Sequence, residues 1–428
     1  MEAPTYDRRS QPGAITDLSA FALPLTDIGC VETKMVSFFP VATLSEHTNC
    51  IEFNISSTDK YLDFASTVLV VEGTFEETEG GSEVITTAKR LFVIDNLLGS
   101  LFERVDVFIN NTQISHSNFY YVSSYLNILL NSSESQQEWA LQAQMFKRSL
   151  PGKEETIDNA VMDKAHEFRN SLIKDKKRVH LQGRLDVPIT KCKKMLPPGL
   201  NITIKLYTNK PIVYMLENNK KPLYRFDFKR CVLNVRHVVV PEKLRSSHEI
   251  QAAQTPFIFA LDNYDVKVRQ IPAGAQSAVF EQIGPIFDRC FCVFIKSKAL
   301  YGNRQLSPLV FSDIMITKLT LTRGSETHIY DELDIDKHKF GLTFAELQRS
   351  LGGENVPFSV NSFKHDTFVV AFNLSTSNPN KSLPTRQENS CRLEIEMSEA
   401  IADEYVALFY VRRPIIMQID ASREVTVR

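Results

Sequence analysis

The sequence has little net charge, no long apolar run and few cysteines. Its 428 residues include 49 basic and 51 acidic side chains, so the formal net charge is −2. Such a chain has no overall field that attracts a polyanion, which argues against tight DNA binding through bulk charge. No stretch approaches the ~18 apolar residues of a membrane span, and residues 1–21 lack the apolar core of a signal peptide. We therefore expect a chain made in the cytosol, with no membrane span.

Cysteine is scarce and scattered. The seven cysteines are Cys30, Cys50, Cys192, Cys231, Cys290, Cys292 and Cys391. An odd number at irregular spacing favours reduced thiols over a disulfide framework. Cys290 and Cys292 form one close pair, in DRCFCVFI, where a spacing of two places both on one face of a strand. Because no second Cys or His pair with zinc-like spacing follows, we predict buried core thiols and no metal site.

Sequence motifs of catalysis and nucleotide binding are absent. The chain has no GxxxxGK[ST], HExxH or GxSxG pattern, and its nine histidines are dispersed. The run DELDID (331–336) could bind a cation through Asp331, Asp334 and Asp336, but it lacks the Gly and the terminal Glu of an EF-hand loop. We interpret it as a solvent-exposed loop. The sequence therefore predicts no enzyme, and no catalytic, cofactor-binding or metal-binding residues.

Two short basic runs could contact nucleic acid or serve as a nuclear import signal. They are KDKKR (174–178) and KCKKM (191–195). The charge around them is balanced, and no basic stripe interleaved with aromatic residues, of the kind that stacks on single strands, is present. We interpret both runs as solvent-exposed loops and expect no specific nucleic-acid site.

Short apolar or alternating segments bounded by turn residues dominate both halves of the chain. Predicted strands are 50–56, 64–75, 104–114 and 200–208 in the first half, and 264–271, 289–297, 314–324, 366–375, 391–398 and 404–419 in the second. Many strands, Pro, Gly and Asn turns and few helices predict an all-β chain of sandwiches, not alternating βαβ units.

The segment LLGSLFERVDVFINNTQI (97–114) changes periodicity within a few residues. Its first residues bunch the apolar side chains as on one turn of a helix, and Val105, Val107 and Ile109 then alternate with Asp106 and Phe108. Asn110-Asn111 supplies residues that tolerate the positive φ of a hairpin turn. The segment therefore predicts a helical turn, a strand and a hairpin.

The chain is too long for one core, so we expect two domains. The predicted organisation is an extended N-terminal arm (1–40), a first sandwich (41–245) and a second sandwich with a C-terminal tail (246–428). The junction lies in 238–256, where a strand ends at a proline and a polar helical linker follows.

Two amphipathic helices are predicted in an insertion at about 131–180. The first would carry its apolar face on Trp139, Met145 or Phe146, and Leu150, and the second on Val161, Ala165, Phe168 and Leu172. Pro151-Gly152 would separate them.

Several segments, taken in order from about residue 35 to 425, resemble one known family. They include CIEFNISSTDKYLDFASTVLVVEGTF, VIDNLLGSLFERVDVFINNTQIS, MLPPGLNITIKLYTNKPIVYML and CRLEIEMSEAIADEYVALFYVRRPIIMQID. The chain is similar to double jelly-roll major capsid proteins of the Polinton/Maverick and adintovirus type. The resemblance implies two consecutive eight-stranded jelly rolls with short helical insertions, in a homotrimer that presents six lobes.

The resemblance implies a structural function. We expect a capsid subunit that forms pseudo-hexameric homotrimers and an icosahedral shell around a double-stranded DNA genome, and we expect it in the virion, made in the host cytoplasm, with the nucleus as a candidate site of assembly. Its partners would be further copies of itself and a minor penton protein. The arm and the tail would make contacts between subunits. Two alternatives stay open: a capsid-derived host gene used as a binding module, and a two-sandwich hydrolase acting on glycans.

Overall fold

Two β-sandwiches follow one another along the chain in the computed structural model. The structure describes residues 29–45, 48–77, 91–155, 163–173, 177–217, 224–286, 288–351, 356, 358–374 and 390–428. Almost all helices and strands in these ranges belong to the two sandwiches or to the segments that connect their strands.

The first sandwich contains two antiparallel sheets of four strands. Its strands are β1 Glu32–Phe38, β2 Cys50–Ser57, β3 Tyr61–Glu77, β5 Phe102–Ile109, β6 Thr112–Asn118, β7 Val179–Gly183, β8 Leu200–Thr208 and β10 Tyr224–Val239, and a short ribbon is formed by β4 Leu91–Val93 and β9 Met215–Glu217. One sheet has the order β1-β10-β3-β7 and the other the order β2-β8-β5-β6.

The second sandwich repeats this arrangement. Its strands are β12 Tyr264–Ile271, β13 Ser277–Pro285, β14 Arg289–Lys296, β15 Ile316–Arg323, β16 Glu326–Tyr330, β17 Val370–Asn373, β18 Ser390–Met397 and β19 Tyr405–Arg412. The sheets have the orders β12-β19-β14-β17 and β13-β18-β15-β16. Counted within each sandwich, both halves therefore have the strand orders 1-8-3-6 and 2-7-4-5. This is the eight-stranded jelly roll, present twice, and it confirms the predicted all-β double jelly roll.

The remaining elements lie in the connections and in the C-terminal tail. A separate sheet of three strands has the order β11-β20-β21, with β11 Phe257–Leu261, β20 Ile415–Ile419 and β21 Val425–Val427. The helices are α1 Leu97–Ser100, α2 Tyr120–Asn131, α3 Glu134–Glu138, α4 Lys164–Ile173, α5 Pro188–Lys191, α6 Pro211–Tyr214, α7 Glu242–Ala252, α8 Ser297–Leu300, α9 Gly341–Ser350 and α10 Val360–His365, with a 3₁₀ turn at Ala140–Gln144.

Period-two alternation explains how the strands form a core. The inward residues of β2 and β8 are buried, namely Ile51, Phe53, Ile55, Leu200, Ile202, Ile204 and Leu206. Burial of each such side chain contributes about 1.5–3 kcal/mol, so the paired strands are stabilised mainly by the layer between the sheets.

The structure confirms the predicted succession at 97–114. A helical turn, α1, leads into β5, and Val105, Val107 and Ile109 face the core. Asn110 and Asn111 have φ angles of 46° and 69°, which is the left-handed backbone that the hairpin between β5 and β6 requires. The predicted linker is also present, because β10 ends at Val239 and α7 follows Pro241.

The predicted arm of residues 1–40 is too long. Strand β1 lies inside it and pairs with β10 along its whole length, from Glu32 opposite Val239 to Phe38 opposite Leu233. Mostly exposed side chains on β1 conceal the strand from a hydrophobicity pattern, and pairing with a strand 200 residues away supplies its stability. Pro40 follows the strand and does not disrupt it. Residues 1–28 of the predicted arm lie outside the described residues.

The first predicted helix of the insertion is wrong. Helix α3 ends at Glu138, a 3₁₀ turn follows, and Met145 has a φ of 57°, which no continuous helix accommodates. Met145 and Phe146 are buried, whereas Trp139 and Leu150 are exposed. The apolar spacing arose from two separate short turns, and a capping box at Ser133 fixes the start of the first one.

The second predicted helix exists as α4, but its buried face differs from the predicted one. Ala165 is buried as predicted, together with His166, Arg169 and Ile173, while Phe168 is only half-buried and Leu172 is exposed. Val161 lies outside the described residues. Charged side chains face inward here because they find ionic partners, and a search for apolar periodicity cannot detect such a face.

Candidate assembly surfaces

The two jelly rolls stand side by side and point the same way. In each roll the antiparallel registers place the connections after the first, third, fifth and seventh strands at one end. We call this the loop end, and the opposite end the base. Elements from the loop ends of both rolls contact each other, and the linker that contains α7 joins the two rolls at the base.

Hydrogen bonds join the rolls at the loop end. The Tyr121 hydroxyl donates to the Leu300 carbonyl oxygen at 2.6 Å, and the Glu217 amide donates to the Arg304 carbonyl oxygen at 2.7 Å. The Ser307 amide donates to a carboxylate oxygen of Glu155 at 3.0 Å. These contacts fix the relative height of the two rolls.

A strap at 147–155 runs between the two loop ends and is held by carboxylates. The Lys147 amide donates to Asp95 at 2.7 Å, the Leu150 amide to Asp163 at 2.6 Å and the Gly152 amide to Asp366 at 2.5 Å. Asp95 and Asp163 belong to the first roll and its insertion, and Asp366 belongs to the second roll. The strap is therefore anchored on both rolls by charge-assisted hydrogen bonds.

A buried ionic network supports the strap from below. The Arg169 guanidinium lies 3.0 Å from Glu154 and 3.6 Å from Asp95, and it also donates to the Lys147 carbonyl oxygen at 2.8 Å. Burial raises the pKa of the Asp95 carboxyl to about 6, against the attraction of Arg169 and with a further contribution from Glu154. Two carboxylates thus share one guanidinium in a buried site.

His166 and Asp163 form the second part of this network. Their side chains lie 2.8 Å apart and are both buried. Burial opposes the ionised form of Asp163, but hydrogen bonds from His166 and from the Leu150 amide outweigh it and hold the pKa of this carboxyl well below its usual range. The sequence does not reveal the network, because Asp95, Glu154 and Arg169 are far apart in it. Arg169 itself indicates the network, because it lies one helical turn after Ala165 and therefore on the same buried face of α4.

The outer face of the sheet β12-β19-β14-β17 is covered by the first roll. Consecutive residues of β14 and β19 are buried, which means that both faces of this sheet are covered. Tyr264 and Tyr410, which stack with ring centroids 4.4 Å apart, line a small cleft together with Ser115 of β6 and Asp186. The Lys191 ammonium lies 5.2 Å from the centroid of the Tyr264 ring. Strand β6, α2 and the segment around α5 therefore pack on this face.

The C-terminal tail is ordered against its own chain. Strand β21 pairs with β20, and the Asn110 side-chain amide donates to the Arg423 carbonyl oxygen at 2.8 Å. The Arg423 guanidinium donates to the Pro198 carbonyl oxygen at 2.8 Å and pairs with Glu249 at 2.5 Å. Residues 420–428 are therefore ordered within the chain, because the hairpin at Asn110 supplies partners, and the contacts of this tail with other subunits stay a prediction.

The equivalent sheet of the first roll, β1-β10-β3-β7, has an outer face that the described residues leave partly exposed. We call it the open face. Its register places Met35 beside Arg236, and Ser37 beside Asn234, which in turn lies beside Val68. All of these side chains are at least partly exposed, and no described strand or helix of the second roll packs extensively on this sheet.

The cysteine pair and the acidic run considered in the sequence have structural roles and form no metal site in the described ranges. Cys290 and Cys292 are buried on one face of β14, as predicted, and burial raises the pKa of both thiols. Asp334 pairs with Lys337 at 2.7 Å in a loop, and Asp331 and Asp336 do not join it in a cluster. In the described ranges no three His, Cys, Asp or Glu side chains group as a metal site would require.

Described residues of the basic runs have partners within the chain. Lys191 pairs with Asp186 at 2.6 Å and Lys194 donates to the Ile258 carbonyl oxygen, whereas residues 174–176 of the other run lie outside the described residues. In the part of the chain that the structure describes, every helix is too short or too polar to cross a membrane.

Comparisons with known proteins identify the fold. No protein-family model and no curated protein matches the chain. A chain from the structure of the Sputnik virophage has a TM-score of 0.68 at 11% identity and covers 100% of this chain and 93% of its own length. The mavirus major capsid protein has 0.59 at 10% identity, with 100% and 97% covered, and the Faustovirus major capsid protein has 0.58 at 7%, with 95% and 93% covered. These likenesses show a shared double jelly-roll fold.

Proposed function

We propose that this chain is a major capsid protein that self-assembles into an icosahedral shell around a double-stranded DNA genome. One observation carries the proposal: two jelly rolls of identical strand order stand side by side, the same way up, in a single chain. The full-length fold likeness to the mavirus and Faustovirus major capsid proteins supports it. On this reading the chain is not an enzyme, and its activity is assembly.

The proposed unit is a homotrimer. Three chains with two similar rolls each give six lobes around one axis, a pseudo-hexagonal block that tiles the faces of an icosahedron. The ordered sequence segments quoted above support a lineage of the Polinton/Maverick and adintovirus type. A minor penton protein would fill the fivefold positions. We place the protein in the virion, after synthesis in the host cytoplasm and with the nucleus as a candidate assembly site.

Light scattering on the purified chain tests this function. A trimer would have three times the chain mass of 48.7 kDa, which is about 146 kDa. We expect this species, with larger shells at high concentration that are visible by electron microscopy. A monomer at every concentration, with no shells, would contradict the capsid function.

A second candidate, a glycan-acting hydrolase, is favoured by one cleft at the loop end. This cleft, of about 430 Å³, is lined by Glu155, Asp313, Asp366 and Asp403. Burial raises the pKa of the first three carboxyls, as in many acid–base sites. However, Glu155 and Asp366 accept backbone amides that join the two rolls, and Asp403 pairs with Lys296 at 3.3 Å. Three of the four carboxylates are thus engaged in contacts that hold the fold.

A panel of oligosaccharides separates the two candidates. We expect no hydrolysis by the wild-type chain. Turnover that disappears in the Asp313→Asn variant, while the melting temperature is unchanged, would establish the hydrolase.

A further inference from the structure

The two equivalent sheets of the chain differ in how their outer faces are covered. The sheet β12-β19-β14-β17 is covered by β6, α2 and the α5 segment of the first roll. Its counterpart, β1-β10-β3-β7, has the same strand order but keeps the open face. In β14 every residue from Arg289 to Ile295 is buried, whereas Val68, Val70 and Asn234 of the open face remain partly exposed.

The open face has the composition of a protein interface. Met35 on β1 is 47% exposed, and Val68 and Val70 on β3, on the other side of the intervening β10, are half-buried. Ion pairs are interspersed with these apolar residues: Arg236, the neighbour of Met35 on β10, pairs with Asp63 at 3.6 Å, and Arg230 pairs with Glu72 at 2.8 Å. Methionine and arginine side chains are enriched at surfaces that bind another protein.

One side of the second roll is formed by the counterparts of the first-roll elements that cover the sheet β12-β19-β14-β17. The first roll covers its neighbour with its fifth strand and with the connection that follows this strand. In the second roll these elements are β16 and the connection that contains α9. Ile329 of β16 is 48% exposed and Leu342 of α9 is 57% exposed. Within the described ranges nothing covers either side chain.

We propose that the open face is covered by β16 and α9 of a second copy of this chain. The contact between copies then repeats the contact between the two rolls of one chain. In both contacts, the fifth strand of one roll meets the 1-8-3-6 sheet of the next roll. The contact is heterologous, and six rolls joined in this way close into a ring after three chains. The proposal rests on the capsid function proposed above and names the two surfaces that the trimer uses.

Two variants that each block one surface test this pairing. Met35→Glu with Val68→Lys blocks the open face, and Ile329→Glu with Leu342→Lys blocks the opposite side. Both pairs add no net charge, and long side chains can extend into solvent in the monomer. We expect each variant alone to be a monomer by light scattering. An equimolar mixture should give a dimer of twice the chain mass, about 97 kDa, because each variant keeps the surface that the other has lost.

A matched control lies at the base. Ile250 is 67% exposed on α7 and Ile258 is exposed on β11, and neither belongs to the two proposed surfaces. Ile250→Glu with Ile258→Lys should remain a trimer. Circular dichroism and melting temperature check that each variant folds, and the single variants Met35→Ser and Leu342→Ser replace any double variant that does not.

The outcomes distinguish this proposal from the capsid function itself. A wild-type monomer would contradict the capsid function. A wild-type trimer together with trimeric blocked variants would leave the capsid function intact and overturn the pairing. Two monomeric variants that form no dimer on mixing would also overturn it, because the two surfaces would then not bind each other.

Discussion

The guanidinium of Arg169 lies 3.0 Å from a carboxylate oxygen of Glu154, and both side chains are almost completely buried. The pair supports the strap that bridges the loop ends of the two rolls. Removing one partner of a buried ion pair leaves the other charge without compensation, and the cost exceeds the net contribution of the pair.

Arg169→Met should therefore destabilise the protein strongly. We expect a loss of about 3–5 kcal/mol in the free energy of unfolding, measured with urea. Arg349→Met is the control, since Arg349 is mostly exposed and pairs with Glu346 at 3.0 Å on one helix. Its loss should stay below about 1 kcal/mol. Equal effects of the two substitutions would contradict a structural role for the network.

Asp95 makes the stability depend on pH in a defined direction. Burial raises its pKa from 3.8 to about 6, so between these values the folded state keeps a proton that the unfolded state has lost. Ionisation in the folded state is disfavoured, and this carboxyl therefore lowers stability as pH rises from about 4 to 6. Above pH 6 the penalty is constant.

Asp95→Asn should flatten this dependence. The measurement is the difference in melting temperature between pH 4.5 and pH 7, and it should be smaller in the variant than in the wild type. The pKa values of Glu155 and Asp366 are raised as well, by burial, so part of the slope should remain. An unchanged slope would show that Asp95 does not titrate in this range.

Asn110 connects the hairpin of the first roll to the C-terminal tail. Its side chain donates to the Arg423 carbonyl oxygen and accepts from the Asn201 amide, both at 2.8 Å, and its φ is 46°. Asn110→Ala loses both hydrogen bonds and forces alanine into the left-handed region, so we expect a loss of about 2–3 kcal/mol by urea unfolding. Asn111→Gly is the matched control: with a φ of 69° in the same turn, it should change stability by less than about 0.5 kcal/mol.

Two truncations separate the predicted arm from strand β1. Removal of residues 1–28 leaves β1 complete, so the melting temperature should not change while the yield of assembled shells falls. Removal of residues 1–35 deletes the pairs from Glu32 to Met35 with β10 and should lower the melting temperature by several degrees. Unchanged assembly after the shorter truncation would rule out a role for the arm between subunits.

Local features of the fold were predictable from the sequence. The strand at 104–109 and its hairpin follow from alternation and from two asparagines, since both depend on neighbours within a few residues. Strand β1 was not predictable, because its stability comes from β10, about 200 residues further along the chain. Helix α4 showed the opposite difficulty: it was predicted, but on the wrong face, because Arg169 is buried against partners that the periodicity cannot include.

The candidate surfaces were less accessible to sequence reasoning than the fold. Neither Met35 nor Leu342 belongs to a motif. Each is identified as part of a candidate surface only when the sheet orders of both rolls are compared. The absence of a catalytic motif in the sequence favoured a structural function, but it did not indicate which residues form the assembly surfaces. Surfaces of this kind depend on which strands lie at an edge and which faces are covered, and both properties arise from pairings between distant segments.

The arrangement of connections gives the molecule two ends with different uses for protein engineering. The ordered tail reaches the base, so a peptide fused after Arg428 would emerge there, on the same side as the start of β1. Gly274 lies in the connection between β12 and β13 at the loop end, with open space around it. A peptide inserted at this glycine would project in the opposite direction. One chain could therefore carry a cargo tag towards one side of a shell and display an epitope on the other.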